Sequence, residues 1–96
     1  MTTLTFDHFM MHVGDSFPMT DHPPTDLVLT TAVTIPTNRP SEDGREAFVL
    51  TFRSTDPRNR GQDIYRIGHP ALGMIEVFMV PIAGDRHGIT YEAVFN

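Results

Sequence analysis

Apolar side chains recur along this chain with two different periods. Between Thr5 and Gly14, the residues Phe6, Phe9, Met10 and Val13 fall at helical spacing, behind a threonine able to cap, an early Asp7, and ahead of a glycine able to end the turn. One short amphipathic helix over residues 5–12 follows. Beyond it the period is two. A short strand is expected at Ser16 to Thr20. Asp26 to Pro36 alternates Leu27, Leu29, Thr31, Val33 and Ile35 against Val28, Thr30, Ala32 and Thr34, with the β-branched enrichment of a strand. Ala47 to Arg53 sets Phe48, Leu50 and Phe52 against Val49, Thr51 and Arg53. Asp63 to His69 carries Tyr65 and Ile67, Met74 to Ile82 is apolar on both faces, and Thr90 to Phe95 aligns Tyr91, Ala93 and Phe95.

The connections are too short for crossover helices, so parallel α/β folds are excluded and an antiparallel meander over residues 16–96 is expected. The reading is all-β: a small six-stranded barrel or two-layer sandwich, with the N-terminal helix plugging one end or one face. The expected core is Phe48, Leu50, Phe52, Tyr65, Ile67, Phe78, Val80, Tyr91 and Phe95. The polar segments Thr37 to Arg45 and Ser54 to Gly61 read as mobile loops, and His69 to Gly73 and Gly84 to Gly88 as turns.

At 96 residues the chain is a single domain, and one of this mass buries roughly 65% of its surface on folding, enough without metal or disulfide. Its net charge of −5 and the absence of lysine argue against a nucleic-acid partner. Arg58 and Arg60 stand close together but are flanked by Asp56 and Asp63, which reads as a solvated loop. Cysteine is absent, which removes thiol catalysis, thiolate metal sites and disulfides. The N-terminus has neither a basic region nor an apolar run of signal-peptide type, so cytoplasmic residence is expected. The longest nearly apolar run, Met74 to Ala83, falls far short of the about 20 residues of a membrane helix, and no membrane association is expected.

Candidate chemistry is sparse. His8 and His12 stand four apart on the expected helix, a spacing by which two imidazoles can share a metal, with Asp7 or Asp15 able to add an oxygen. Phe9, however, stands where a zinc-protease helix has its glutamate, and no third ligand is positioned by spacing. No metal, cofactor or catalytic residue is expected. His69 before Pro70 reads as a turn residue with a capped imidazole. Glu76, alternating with Phe78 and Val80, reads as an exposed acid opposite an arginine. Tyr91 and Glu92 alternate and so cannot share a face; Glu92 is expected to be a surface charge or a cross-strand partner of an arginine such as Arg66. Ser16, Ser41 and Ser54 lie in no nucleophile-elbow context. The methionines Met10, Met11, Met19, Met74 and Met79 read as core filler.

The most distinctive text is Gln62-x-x-Tyr65-x-x-x-His69-Pro70-x-Leu72-Gly73, then Val77 to Ile82 with Asp85 and Gly88, then Tyr91-Glu92-Ala93-Val94-Phe95-Asn96. With Phe9, Gly14, Phe17 and Phe48-x-Leu50-x-Phe52, it resembles a family of small uncharacterised bacterial domains whose members end in a Tyr-Glu-Ala-Val-Phe-Asn strand. This chain has Arg53-Ser54-Thr55-Asp56-Pro57 where relatives often place Gly-Pro. The resemblance implies a domain encoded near tail-collar-type fibre proteins of phage origin, and by that association a structural or assembly role. The expected function is therefore a non-enzymatic interaction module of a phage-tail-like or fibre-like assembly, partnered by such a fibre protein or by its own copies. Its expected surface is a strand edge, with Tyr91, Glu92, Val94, Asn96, His69 and Glu76 as candidate contacts. The alternative is a small-molecule-binding barrel, which needs an apolar cavity of about 300 Å³ or more. A small hydrolase or metal-dependent enzyme is a distant third.

Overall fold

The structure, a computed structural model, describes residues 4–20, 25–35 and 47–95. The expected loop Thr37 to Arg45 and the C-terminal Asn96 lie outside them. Helix α1 (Phe6–Met10) is followed by β1 (Ser16–Met19), β2 (Thr25–Thr34), β3 (Phe48–Ser54), β4 (Asp63–His69), β5 (Gly73–Asp85) and β6 (Gly88–Phe95). All pairings are antiparallel, and the strands close into a barrel in the order β1-β2-β3-β6-β5-β4. The barrel, rather than the sandwich, is the outcome.

A single continuous meander is not. Two three-stranded meanders face each other, because the link from β3 to β4 crosses the barrel end and lays β4 beside β1 while β6 returns beside β3. The seam between β1 and β4 is short, with Met19 opposite Ile67 and the Thr20 amide donating to the Arg66 carbonyl at 3.0 Å. Closure leaves β6 paired on both sides, so the expected strand edge is absent there. Where β5 runs past its last pairing with β4, at Met79, it carries Pro81 and a register shift between Pro81 and Ala83. Proline and a bulge blunt an edge against further pairing.

The helix plugs one end. Phe9 is fully buried, with its ring 6.5 Å from Phe17, 5.8 Å from Phe48 and 5.6 Å from Phe95, while Phe6 packs edge-on against Phe48. Burying one such ring contributes about 1.5–3 kcal/mol. The Thr5 amide donates to His8 Nδ1 at 2.9 Å, closing the first turn. Gly14, at φ +96°, ends the last turn in a conformation that side chains resist, and its amide donates to the Leu29 carbonyl at 2.7 Å. The helix is shorter than expected, and Met10 and Val13 are exposed. Five residues present only one turn to the barrel, and Phe9 fills it.

Inside, Phe17, Leu27, Leu29, Leu50, Phe52, Ile67 and Met79 are fully buried, with Met19, Phe48, Tyr65, Val77, Tyr91 and Ala93 nearly so. Two expectations fail. On β5 the inward residues are Val77 and Met79, and Phe78 is exposed with Val80 half-buried. On β2 the alternation holds through Leu29, then a bulge between Leu29 and Thr31 reverses it. Thr31 and Val33 face out, because the extra residue turns every later side chain over. The methionines divide, Met19 and Met79 inside and Met10, Met11 and Met74 outside.

Candidate functional site

The segment expected to be a mobile, solvated loop after β3 is instead a hydrogen-bonded cap over the barrel end away from the helix. The Ser54 hydroxyl, buried, accepts from the Asp56 amide at 2.9 Å. Asp56 accepts from Arg58 Nη2 at 2.7 Å and from Arg60 Nη2 at 3.3 Å, and Arg60 Nη2 also donates to the Thr25 hydroxyl. The Tyr65 hydroxyl donates to the Gly61 carbonyl at 2.6 Å, and the Arg60 amide donates to the Tyr91 hydroxyl at 3.4 Å. Arg58 remains solvated, but Arg60 is almost buried and its Nη1 has no hydrogen-bond partner among the described residues. Side-chain and then backbone hydrogen bonds from Arg58 hold the Asp56 carboxyl well below the usual carboxylate range.

At the helix end, two neighbouring residues, His12 and Asp15, meet His69 from more than fifty positions along the chain. Asp15 Oδ2 lies 2.9 Å from His12 Nδ1 and 2.9 Å from His69 Nε2, and the two imidazole centroids are 4.2 Å apart. The backbone fixes this geometry, since the Leu29 amide donates to the Asp15 carbonyl at 3.1 Å and the Asp15 amide to the His12 carbonyl at 3.0 Å. His69, 7% exposed at its side chain, packs its ring 4.8 Å from Phe17 and accepts the Ala71 amide on Nδ1 at 3.0 Å. The capped imidazole read from His69-Pro70 is therefore present, and its second nitrogen is engaged as well. Hydrogen bonds from His69 first, then His12, lower the Asp15 carboxyl. His8 takes no part, being engaged with Thr5. His12 thus stands beside His69 rather than sharing a partner with His8.

The third feature is a face. Ile64 pairs with Phe78 across β4 and β5, Val94 with Val49 across β6 and β3, and Val49 with Val33 across β3 and β2. Pairing of β5 with β6 starts at Val80 opposite Glu92, and Phe78 and Val94 stand two residues beyond it on the outward faces of their strands. Outward apolar residues thus lie along five strands, Ile64 beside Phe78 and Val94, Val49 and Val33 side by side. Ile64, Phe78, Val94 and Val33 are each more than half exposed, and Val49 is half-buried. Glu76, exposed, stands opposite Arg66 as the alternation implies. Glu92 faces out between Thr51 and Val80, not opposite Arg66.

The sequence candidates thus separate. Val94, Glu92 and Glu76 share the outer surface, and His69 belongs to the cluster at the helix end. Tyr91 is buried against the Tyr65 ring, 6.0 Å away, and is closed to a partner. Among the described residues no helix is long and apolar enough to cross a membrane. No curated protein and no solved structure matches the chain. A family model described as a domain of unknown function, DUF6916, matches residues 4–95, and the chain belongs to that family.

Proposed function

We propose that this domain is a non-enzymatic interaction module that docks, through the outer face of its barrel, onto an apolar protein surface. The observation that carries the reading is the set of Ile64, Phe78, Val94, Val49 and Val33, in which four large apolar side chains are held in water by strands whose inner faces are already filled. Exposed apolar side chains gathered on one outer face mark interaction sites. Phe78 on β5, the one aromatic ring among them and opposite the aliphatic Ile64, has the character of an anchor residue. The packed interior supports this reading over a ligand-holding barrel, since Leu29, Leu50, Phe52, Ile67, Met79 and Tyr91 occupy the space a ligand would need.

The family resemblance supplies the setting, a fibre-like assembly of phage-tail type, and the partner is the tail-collar-type fibre protein of that assembly. The test is binding of the purified fibre protein to wild type and to Phe78→Asp and Val94→Asp, with melting curves for each. The expected result is binding by wild type and at least tenfold weaker binding by both variants, with melting preserved. Equal binding by the variants, or no binding at about 0.1 mM, overturns the proposal. Concentration-dependent self-association lost in Phe78→Asp, without fibre-protein binding, would replace the partner with a second copy.

A further inference from the structure

We propose that His12, Asp15 and His69 form a binding site for a divalent transition-metal ion of the zinc class, seated where the helix meets the barrel. Their donor atoms, His12 Nδ1, one Asp15 carboxylate oxygen and His69 Nε2, lie within 4.8 Å of one another. Two imidazole nitrogens and one carboxylate oxygen are a donor set that suits zinc and its neighbours, whereas calcium and magnesium prefer oxygen alone. The site is preorganised rather than assembled by chance on a mobile surface. Asp15 and His12 are tied through backbone bonds to each other and to Leu29, and the His69 ring is packed against Phe17. Asp15 is half exposed, so the ion has an entry path and an open coordination position for water.

Chemistry at His69 makes the inference specific. Because Nδ1 accepts the Ala71 amide, the ring proton sits on Nε2 and is donated to Asp15. An ion on Nε2 displaces that proton, and the neutral ring then carries it on Nδ1, facing the Ala71 amide. The Ala71 hydrogen bond must open, so loading disturbs the turn between β4 and β5. The bound ion links the exit of α1 to the end of β4, two segments more than fifty residues apart, and stabilises the native state by mass action.

The experiment titrates the full chain with Zn²⁺ alone, followed by calorimetry, melting and amide NMR. Expected are one ion per chain, a rise in Tm of about 5 °C at saturation, and amide shifts centred on Gly14, Asp15 and Ala71. His12→Ala and Asp15→Asn should each weaken binding at least tenfold and abolish the rise in Tm, while His87→Ala, at the β5–β6 turn, should do neither. Absence of binding at millimolar Zn²⁺, unchanged affinity in Asp15→Asn, or shifts centred on His87 would overturn the proposal. Should a variant fail to fold, the amide shifts of the unaltered chain decide alone.

Discussion

Adjacent residues on β5 offer a sharp test of the barrel's inside and outside. Met79 is 0% exposed and Phe78 is 53% exposed, although Phe78 is the larger and more apolar of the two. Truncating a buried methionine to alanine costs about 2–5 kcal/mol, through lost transfer energy and the cavity left behind. Full burial of a phenylalanine is worth about 1.5–3 kcal/mol, so the half-wet ring of Phe78 contributes about 1 kcal/mol. Met79→Ala should therefore destabilise several-fold more than Phe78→Ala. Urea denaturation followed by circular dichroism measures both, with an unchanged slope showing that only stability has moved. A cost of about 3 kcal/mol or more for Phe78→Ala, or under about 1 kcal/mol for Met79→Ala, would refute the face assignment. The apolar set on the outer surface would fall with it.

Two further expectations follow from backbone and charge. A Cβ built on Gly88 would lie 1.9 Å from the Ser54 carbonyl oxygen, a backbone atom that cannot swing away. Gly88→Ala should thus cost at the top of, or beyond, the about 1–3 kcal/mol typical of overpacking, read as a lower urea midpoint; a loss within about 0.5 kcal/mol would show that β3 and β6 are more loosely apposed. Asp56 titrates well below its unfolded value of about 3.9, so its stabilising contribution is present above that pH and fades as pH falls below it toward the folded value. The stability gap between wild type and Asp56→Asn should be full at neutral pH and shrink steadily as pH falls below about 4; a gap at pH 2 as large as at neutral pH would assign the effect to something other than the carboxylate.

Much of this fold is written in local pattern. Strands β3, β4 and β6 obey their alternation because each carries a polar residue facing out, Thr51, Arg66 and Glu92, between apolar neighbours that are buried. Strand β5 does not declare its faces, since both are apolar and size alone favours Phe78. The sequence nevertheless holds the correcting signal: Glu76 shares a face with Phe78 and Val80, and a carboxylate belongs in water. On β2 no such signal exists. Thr30 and Thr31 are equally at home outside, so nothing in the text marks where the bulge falls. The Thr30 hydroxyl donates to the Thr51 carbonyl at 2.9 Å, a contact visible only once β3 lies alongside.

The residues at the two barrel ends were hidden by one topological choice. In any antiparallel barrel, the starts of β1, β3 and β5 and the ends of β2, β4 and β6 share an end, so His12 and Asp15 before β1 and His69 at the close of β4 must lie at the same one. A continuous meander would set β4 across the barrel from β1, and the three would stay apart. The observed order places β4 beside β1, and the histidines meet over Asp15. The same order puts β3 and β4 on opposite sides of the barrel, so the segment between them has to cross the far end. That crossing turns Arg60 inward toward Thr25, Asp56 and Tyr91, although its composition is that of a solvated loop. Local alternation decides which side chains face in, but the pairing of β1 with β4 decides which of them become neighbours, and that pairing rests on contacts about fifty residues apart, which no short-range pattern encodes.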